Sequence, residues 1–380
     1  MPITNLSETI DFSGQEFFVG LDVHKRSWSV TVRSLNHQVA HFTQPPSAKA
    51  LHKTLQTKFT GGKFYSAYEA GFCGTGYHEQ LCKMGIINII VHAADIPQTD
   101  KQKKNKTDLH DSRSIAEHLE KGNLHGIHVL SPEQQELRSL FRLRESAVKD
   151  VTRSNNRLKS FMLYYDIQIP EAVSATSFLS KKALEWLGNL ELNSTAGTLT
   201  KENLIQQLQH QRTRLGSITK LLRKQMQTQH STAYGLLLSV PGYGAITAAA
   251  LLAEIGCFKR FDDPDDYTGY LGIMPWNDSS GETLRTKGIQ PRCNKHLRPL
   301  LIEAAWTAIR TAPEIFAYYS RHAAKDNKHA IVKVARKLAL IGRGVVLKGE
   351  KYQPDYLQKK QQGKQKQGNG SHKISSITLK

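Results

Sequence analysis

Residues 17–25 read FFVGLDVHK, and this stretch decides the fold. A short apolar run ends on an acid, Asp22, as a buried strand does when it delivers a carboxylate to the edge of a sheet. Directly after it, residues 27–33 (SWSVTVR) alternate with period two, the pattern of a half-buried strand. Residues 38–42 supply a third strand and 48–58 a helix. Residues 64–69 (FYSAYE) form a fourth strand that again ends on an acid, Glu69. A helix over 75–84 and a β-branched strand over 86–91 follow. Three strands in succession, then alternating helices and strands, predict an α/β unit: a mixed sheet with helices on its faces.

Past the sheet, residues 101–106 (KQKKNK) are a basic run, and Thr107 is a good N-cap for a helix reaching about residue 119. The pattern changes at Ser131. Ser131 with Gln134 fits a capping box, and Pro132 suits the first helical position. Leu137, Phe141, Val148, Val151, Leu158, Met162 and Tyr165 then recur near heptad spacing, with Arg144 and Asn155 interrupting the stripe. A second amphipathic helix over 202–227 presents Leu204, Leu208, Leu215, Ile218 and Leu222. Two long helices suggest an antiparallel hairpin or an oligomerising coiled coil, and ordinary bundle helices fit equally well. Within residues 236–350, Val240-Pro-Gly-Tyr-Gly244 followed by AITAAALLAEIG looks like a helix–hairpin–helix element. There Gly242 and Gly244 permit a tight turn whose N–H groups can face a phosphate, plain helix packing being the alternative. Helices over 295–311 and 327–347 complete a mainly helical C-terminal domain. The expected organisation is therefore 1–125 α/β, 126–235 helical coiled coil, 236–350 mainly α, and 351–380 a basic disordered tail.

Lys and Arg number 52 against 33 Asp and Glu, a formal charge of +19. A chain this basic usually meets a polyanion, with nucleic acid the first expectation and an anionic membrane surface the second. The most apolar runs, 85–94 and 245–258, fall short of the ~20 residues a membrane span needs. Glu8 and Asp11 precede any apolar run, so no signal peptide is read. Cys73, Cys82, Cys257 and Cys293 match no zinc or redox spacing and suit a reducing cytoplasm.

Cleaving a phosphodiester with two metal ions needs hard oxygen ligands on a rigid frame. Asp22 and Glu69 end neighbouring strands, and Asp108 and Asp111, three apart, share one face of a helix. Like charges on one face repel unless a cation holds them, which favours a metal site for Mg²⁺ or Mn²⁺ over an N-terminal turn enriched in acids by the helix dipole. His24 reads as facing solvent or DNA.

At this point the sequence resembles a known family. GLDVHK, YEAG and NKTDLHDSRSIAEHL look like the DEDD transposases of the insertion sequence 110 family, related to the Piv invertase. The likeness continues in LLLSVPGYGAITAAALLAEIGCFKRFDD, TGYLGIMPWNDSSGETLR and NKHLRPLLIEAAW, and covers most of residues 16–350. It implies an RNase H-like (RuvC-like) domain whose Asp22, Glu69, Asp108 and Asp111 hold Mg²⁺. It also implies a catalytic serine, Ser280, with Ser279 its neighbour and rival, that becomes covalently joined to DNA. Target and donor DNA, a structured guide (bridge) RNA, and a dimer or tetramer are the partners it implies. Lys101, Lys103, Lys104, Lys106, Gly242, Gly244, Arg285, Lys287, Arg292, Lys295 and Arg298 are the residues expected at nucleic acid. One departure stands out. The family usually carries Ile-Ser/Thr-Lys-x-Gly after the serine, where this chain reads Ile289-Gln290-Pro291-Arg292-Cys293-Asn294.

Three rival readings remain. A hydrolytic nuclease or Holliday-junction resolvase on the same fold uses the acids without Ser280. An actin-like sugar kinase also ends its first strand on an acid but needs a DxGxT loop, which Val23-His24-Lys25 fits poorly. The third is an inactive nucleic-acid-binding relative.

Overall fold

The structure, a computed structural model, describes residues 10–97, 108–174, 180–280, 283–324 and 326–354, with the backbone alone for 108, 172, 174, 276–280 and 283–287. The chain divides into two compact units, 1–130 and 131–380.

The first unit is a five-stranded sheet. Strands β1 (Glu16–Val23), β2 (Trp28–Ser34), β3 (His37–Gln44), β4 (Lys63–Glu69) and β5 (Ile87–Val91) lie in the order β3-β2-β1-β4-β5. β1, β2 and β3 pair antiparallel, and β4 and β5 run parallel to β1. The mixed sheet expected from the alternation is therefore present. Leu35 and Asn36 both take positive φ in the two-residue turn that joins β2 to β3, the twist a tight hairpin requires.

Helices cover both faces. α1 (Ala48–Lys58), capped by Ser47, and α2 (Gly76–Lys83) bury Leu51, Leu55 and Leu81 against Phe17, Val19, Leu21, Phe64 and Tyr68. α3 (Asp108–Glu120) takes the other face, where Ile115 packs on Ala67 and Val91. Gly20 is the reason α3 lies so close. A Cβ there would stand 2.0 Å from the Ser112 carbonyl oxygen and 2.4 Å from the Ala116 nitrogen.

The second unit is mainly helical. α4 (Pro132–Tyr164) starts as the sequence predicts, with the Ser131 hydroxyl accepting from the Gln134 N–H. α5 (Lys181–Asn189) follows a single turn at Glu171–Ser174, and α6 (Thr195–Gln229) runs back along α4. Leu137 and Phe141 near the start of α4 share a core with Leu222 and Met226 near the end of α6, while Leu158 and Met162 meet Leu208. The pair is thus an antiparallel hairpin. Two details differ from the sequence reading. α6 begins at Thr195, earlier than residue 202, because Ser194 caps it and accepts from Gly197 N–H. On α4 the small residues Ala147 and Ser154 are buried, whereas Val148 is half-buried and Tyr165 is exposed. A straight 3.6-residue helix drifts from a heptad, so the buried seam moves onto different side chains along its length.

The remaining elements are α7 (Ser231–Leu238), α8 (Ala245–Ile255), α9 (Pro264–Leu271), β6 (Pro275–Ser280), β7 (Thr283–Ile289), α10 (Leu297–Thr311), α11 (Pro313–Ala323) and α12 (Asn327–Lys348). α8 is buried from Thr247 to Ile255, as an almost wholly apolar helix must be. Gly242 has φ +78, and a Cβ there would meet the Ala304 carbonyl oxygen at 2.1 Å, so its bareness lets the turn press against α10. Gly244 is the N-cap of α8 and has open space beside it. Among the described residues no helix is long and apolar enough to cross a membrane.

Candidate active site

The acids of the sheet share a face. Side chains alternate along a strand, so Asp22 projects to the side of Gly20, where α3 lies, and Glu69 to the side of Ala67, which packs on the same helix. Leu21 pairs with Tyr68, so Asp22 and Glu69 are the next residues on adjacent parallel strands, roughly 5 Å apart along the hydrogen-bonding direction. Asp111 is half-buried on α3, one residue before Ser112. Asp108 begins that helix, and its side chain lies outside the described residues, as do Lys101, Lys103, Lys104, Lys106 and the Thr107 cap.

Buried hydroxyls fix α3 over the strand ends. Ser112 Oγ lies 2.9 Å from Thr31 Oγ1 and 3.1 Å from Ser29 Oγ, and Ser29 is the cross-strand partner of Asp22. At the other end of the helix, Arg33 Nε donates to Glu120 at 2.7 Å and the Asn36 N–H donates to the same carboxylate. Tyr68, directly before Glu69, turns to the opposite face, where its hydroxyl donates to the Gly74 carbonyl and accepts from the His78 N–H. Burial pushes that phenol well above its ordinary range, so it stays protonated and steadies the loop after Glu69.

His24 is exposed, as the sequence reading has it, and it also meets an acid of the site. Its Nε2 lies 3.1 Å from Asp22 Oδ2, with the imidazole half exposed and the carboxylate 18% exposed. Beside it, the Lys25 ammonium sits 5.9 Å above the exposed ring of Phe72, joining the loops that follow the two acid-bearing strands. Among the described residues no three His, Cys, Asp or Glu side chains converge into a metal cluster. The donor chemistry nonetheless suits a hard divalent cation: carboxylates on two adjacent strand ends, with a third on the helix over the same face.

In the second unit, Ser280 ends strand β6 and pairs with Thr283, the first residue of β7. Apart from the family resemblance, Ser279-Ser280-Gly281 reads from sequence as a loop. Ser279 and Ser280 lie instead in a β-hairpin, in which Asp278 pairs with Arg285 and Ser279 with Leu284. The side chains of Ser279, Ser280, Arg285 and Lys287 lie outside the described residues.

The divergent segment after the hairpin is held by bonds that the sequence does not disclose. Gln290 N–H donates to the Met274 carbonyl, and Arg298 donates to the Gln290 carbonyl. Arg298 therefore braces this segment, while Arg292 and Lys295 are exposed. Cys293 fills the space beside Gly272, where a Cβ would stand 2.1 Å from it. The Asn294 side-chain oxygen accepts from the His296 and Leu297 N–H groups at the start of α10.

The Asn294 amide donates to Glu254, whose carboxylate is fully buried. Arg142 grips Glu254 with two hydrogen bonds of 2.7 and 2.9 Å, and Arg138 lies 3.4 Å away. Burial pushes the Glu254 carboxyl up, but Arg142, Asn294 and Arg138 outweigh it and hold the group below its ordinary range.

Two family models match the chain. One, a transposase model of the DEDD IS110 type, covers residues 19–166, and the other, the transposase IS116/IS110/IS902 family, covers 234–320. The y4qE protein of Sinorhizobium fredii is 27% identical over 299 residues, 77% of this chain and 72% of that protein. The transposase for insertion sequence element IS1533 of Leptospira borgpetersenii is 24% identical over 303 residues, 77% and 85% of the two chains. The transposase for element IS1328 of Yersinia enterocolitica is 26% identical over 210 residues, 53% of this chain and 59% of that relative.

Proposed function

Because the chain belongs to the IS116/IS110/IS902 family of transposases, we propose that it is the DNA recombinase of an insertion sequence, working in the cytoplasm on target and donor DNA. The first unit is read as an RNase H-like (RuvC-like) domain, and the antiparallel order of β1, β2 and β3 followed by parallel β4 and β5 supports that reading. Asp22, Glu69, Asp108 and Asp111 would hold Mg²⁺ or Mn²⁺, which when bound polarises the scissile phosphate. The observation that carries this reading is the sharing of one sheet face by Asp22 and Glu69 beneath the helix that begins at Asp108.

Ser280 is the nucleophile. Its Oγ forms a bond to phosphorus as the bond from phosphorus to the leaving sugar oxygen breaks, and the hydroxyl proton ends on that oxygen. The phosphoserine link retains the energy of the phosphodiester, so the reverse attack by a new sugar hydroxyl rejoins strands without ATP. The place of Ser280 at the last paired residue of β6 supports this reading. A guide RNA and assembly as a dimer or tetramer complete the proposal. The net charge of +19 suits a complex of protein with two nucleic acids.

The test is to purify the chain with its co-expressed RNA, sequence that RNA, and trap the protein–DNA adduct in the presence of Mg²⁺. Peptide mapping is expected to place the adduct on Ser280. A Ser280→Ala variant that still rejoins strands would rule out Ser280 as the nucleophile, and a wild-type protein that cuts without an adduct or rejoining would return the reading to a hydrolytic nuclease.

A further inference from the structure

We infer that the outer face of α4 is a binding site for a single strand of nucleic acid, held by its phosphates and stacked at one end. The inference rests on the chain acting on nucleic acid, but on neither the metal site nor Ser280.

Lys149, Arg153 and Arg157 recur every fourth residue, a rise of about 6 Å per step on a helix. With Thr152, Asn156 and Ser160 they line a shallow groove. All six are exposed, and they lie on the side of α4 opposite Ala147, Ser154, Leu158 and Met162, the side chains buried along the hairpin. The row therefore does nothing for the core. Nor is it a solvated helix face of mixed charge. Asp150 is the one acid between residues 146 and 165. It takes Arg153 at 3.0 Å and Arg214 of α6 at 3.5 Å, which holds the Arg153 guanidinium at the groove. Among the described residues, Lys149 and Arg157 lie within ion-pair distance of no carboxylate. Taken together, α4 and α6 carry thirteen Lys and Arg against five Asp and Glu.

One turn beyond Ser160 on the same face stands Tyr164, 82% exposed, with Tyr165 52% exposed beside it and their rings 5.1 Å apart. Leaving a large aromatic ring in water is unfavourable unless something covers it. A row of cations that tracks a backbone and leads to an exposed aromatic platform is how proteins hold unpaired bases: the cations take the phosphates and the rings stack on a base. A duplex keeps its bases stacked internally and has no use for the tyrosines.

The test uses the full chain without divalent metal and measures binding to labelled single-stranded RNA, single-stranded DNA and duplex DNA across a salt series. Replacing Lys149, Arg153 and Arg157 together by Gln is expected to lower the slope of log K against log salt by about two for a single strand, at roughly 0.7 for each phosphate no longer neutralised. Tyr164→Ala is expected to weaken single strands about tenfold and to leave the duplex nearly unchanged. The control replaces Lys181, Lys220 and Lys224 by Gln, removing the same charge elsewhere in the unit, and keeps the wild-type slope. A variant with Lys149→Arg, Arg153→Lys and Arg157→Lys restores it. Weaker binding of the RNA or of the DNA strand supports the site and names its occupant. An unchanged slope, an equal drop in the control, or an effect confined to the duplex overturns it. A protein that binds through this face yet cuts no DNA refutes the recombinase reading and leaves this site standing.

Discussion

Two carboxylate neighbourhoods in this chain are built in opposite ways. Glu254 is closed: its side chain has no exposure, and Arg142, Arg138 and Asn294 occupy its oxygens. The acids at the strand ends are open. Asp22 keeps 18% of its side chain in water, Glu69 is exposed, and Asp111 is half-buried on a helix pressed onto the same face. A buried acid whose charge is answered inside the protein serves the fold. Acids gathered on one face and still in contact with water are suited to receive a charge from elsewhere. The two sites should thus fail differently, one through chemistry and the other through stability.

The largest separation is expected from Asp22→Asn. Strand cleavage should fall about a thousandfold, or ~4 kcal/mol of barrier, since several kcal/mol of charge stabilisation is at stake. The melting temperature should change little, because removing one of several like charges offsets the loss of the contact with the half-exposed His24. A matching collapse in stability would break the comparison by making Asp22 a structural acid. Chelation of divalent metal should mimic the variant in the cleavage assay.

Glu254→Gln should do the reverse. It leaves Arg142 and Arg138 without their counter-charge and should cost ~3 kcal/mol in a denaturant titration, near the low end for a broken buried pair because Arg142 keeps 45% of its side chain in water. The folded state holds the Glu254 carboxyl below the ordinary 4.5. Its contribution is therefore complete above that value and is lost as pH falls through the lower folded value. The wild type should lose stability in that acid window, and the Gln variant should lose less. An identical acid profile for both proteins would show that the Arg pairing contributes little.

Gly20→Ala tests whether the open site depends on α3. A methyl group there meets the Ser112 and Ala116 backbone, so the helix must lift, at a cost of ~2 kcal/mol. Cleavage should fall beyond what that stability loss explains, because Asp108 and Asp111 ride on the same helix. Full activity in a destabilised Gly20→Ala protein would separate α3 from the chemistry.

The open site is legible in the sequence and the closed one is not, for reasons of range. Strand periodicity ends on Asp22 and on Glu69, and a three-residue spacing puts Asp108 and Asp111 on one helical face; each signal is local. The partners of Glu254 lie 112 and 40 residues away, and a lone glutamate in an apolar helix does not announce an arginine from another helix. Gly20 and Gly242 give no sign of the helices that press on them, since a close approach is a tertiary fact. The strand that ends on Ser280 is hidden by its polar residues, Asn277 to Ser280, which read as a loop until β7 is seen to pair with them. The heptad on α4 fails where Ala147 and Ser154, small and inconspicuous in a pattern, form the seam.

The smallest effect is expected from Ser112→Ala, and it is the most pointed. Ser112 Oγ bonds to Ser29 and Thr31, the cross-strand partners of Asp22 and Gly20. Its removal leaves Thr31 with His41 Nδ1 at 3.1 Å and takes from Ser29 its hydroxyl partner. A net cost of ~1 kcal/mol follows. Gly20 still admits the helix, so α3 stays on the sheet, but its first turn no longer has the hydroxyl bonds that set its position against β2. Asp111 is the residue directly before Ser112. The expected signature is therefore a several-fold rise in the Mg²⁺ concentration needed for half-maximal cleavage, with the saturated rate almost unchanged. A stability loss with no change in Mg²⁺ requirement would mean that Asp111 holds no metal. The open site would then reduce to the two strand ends and Asp108.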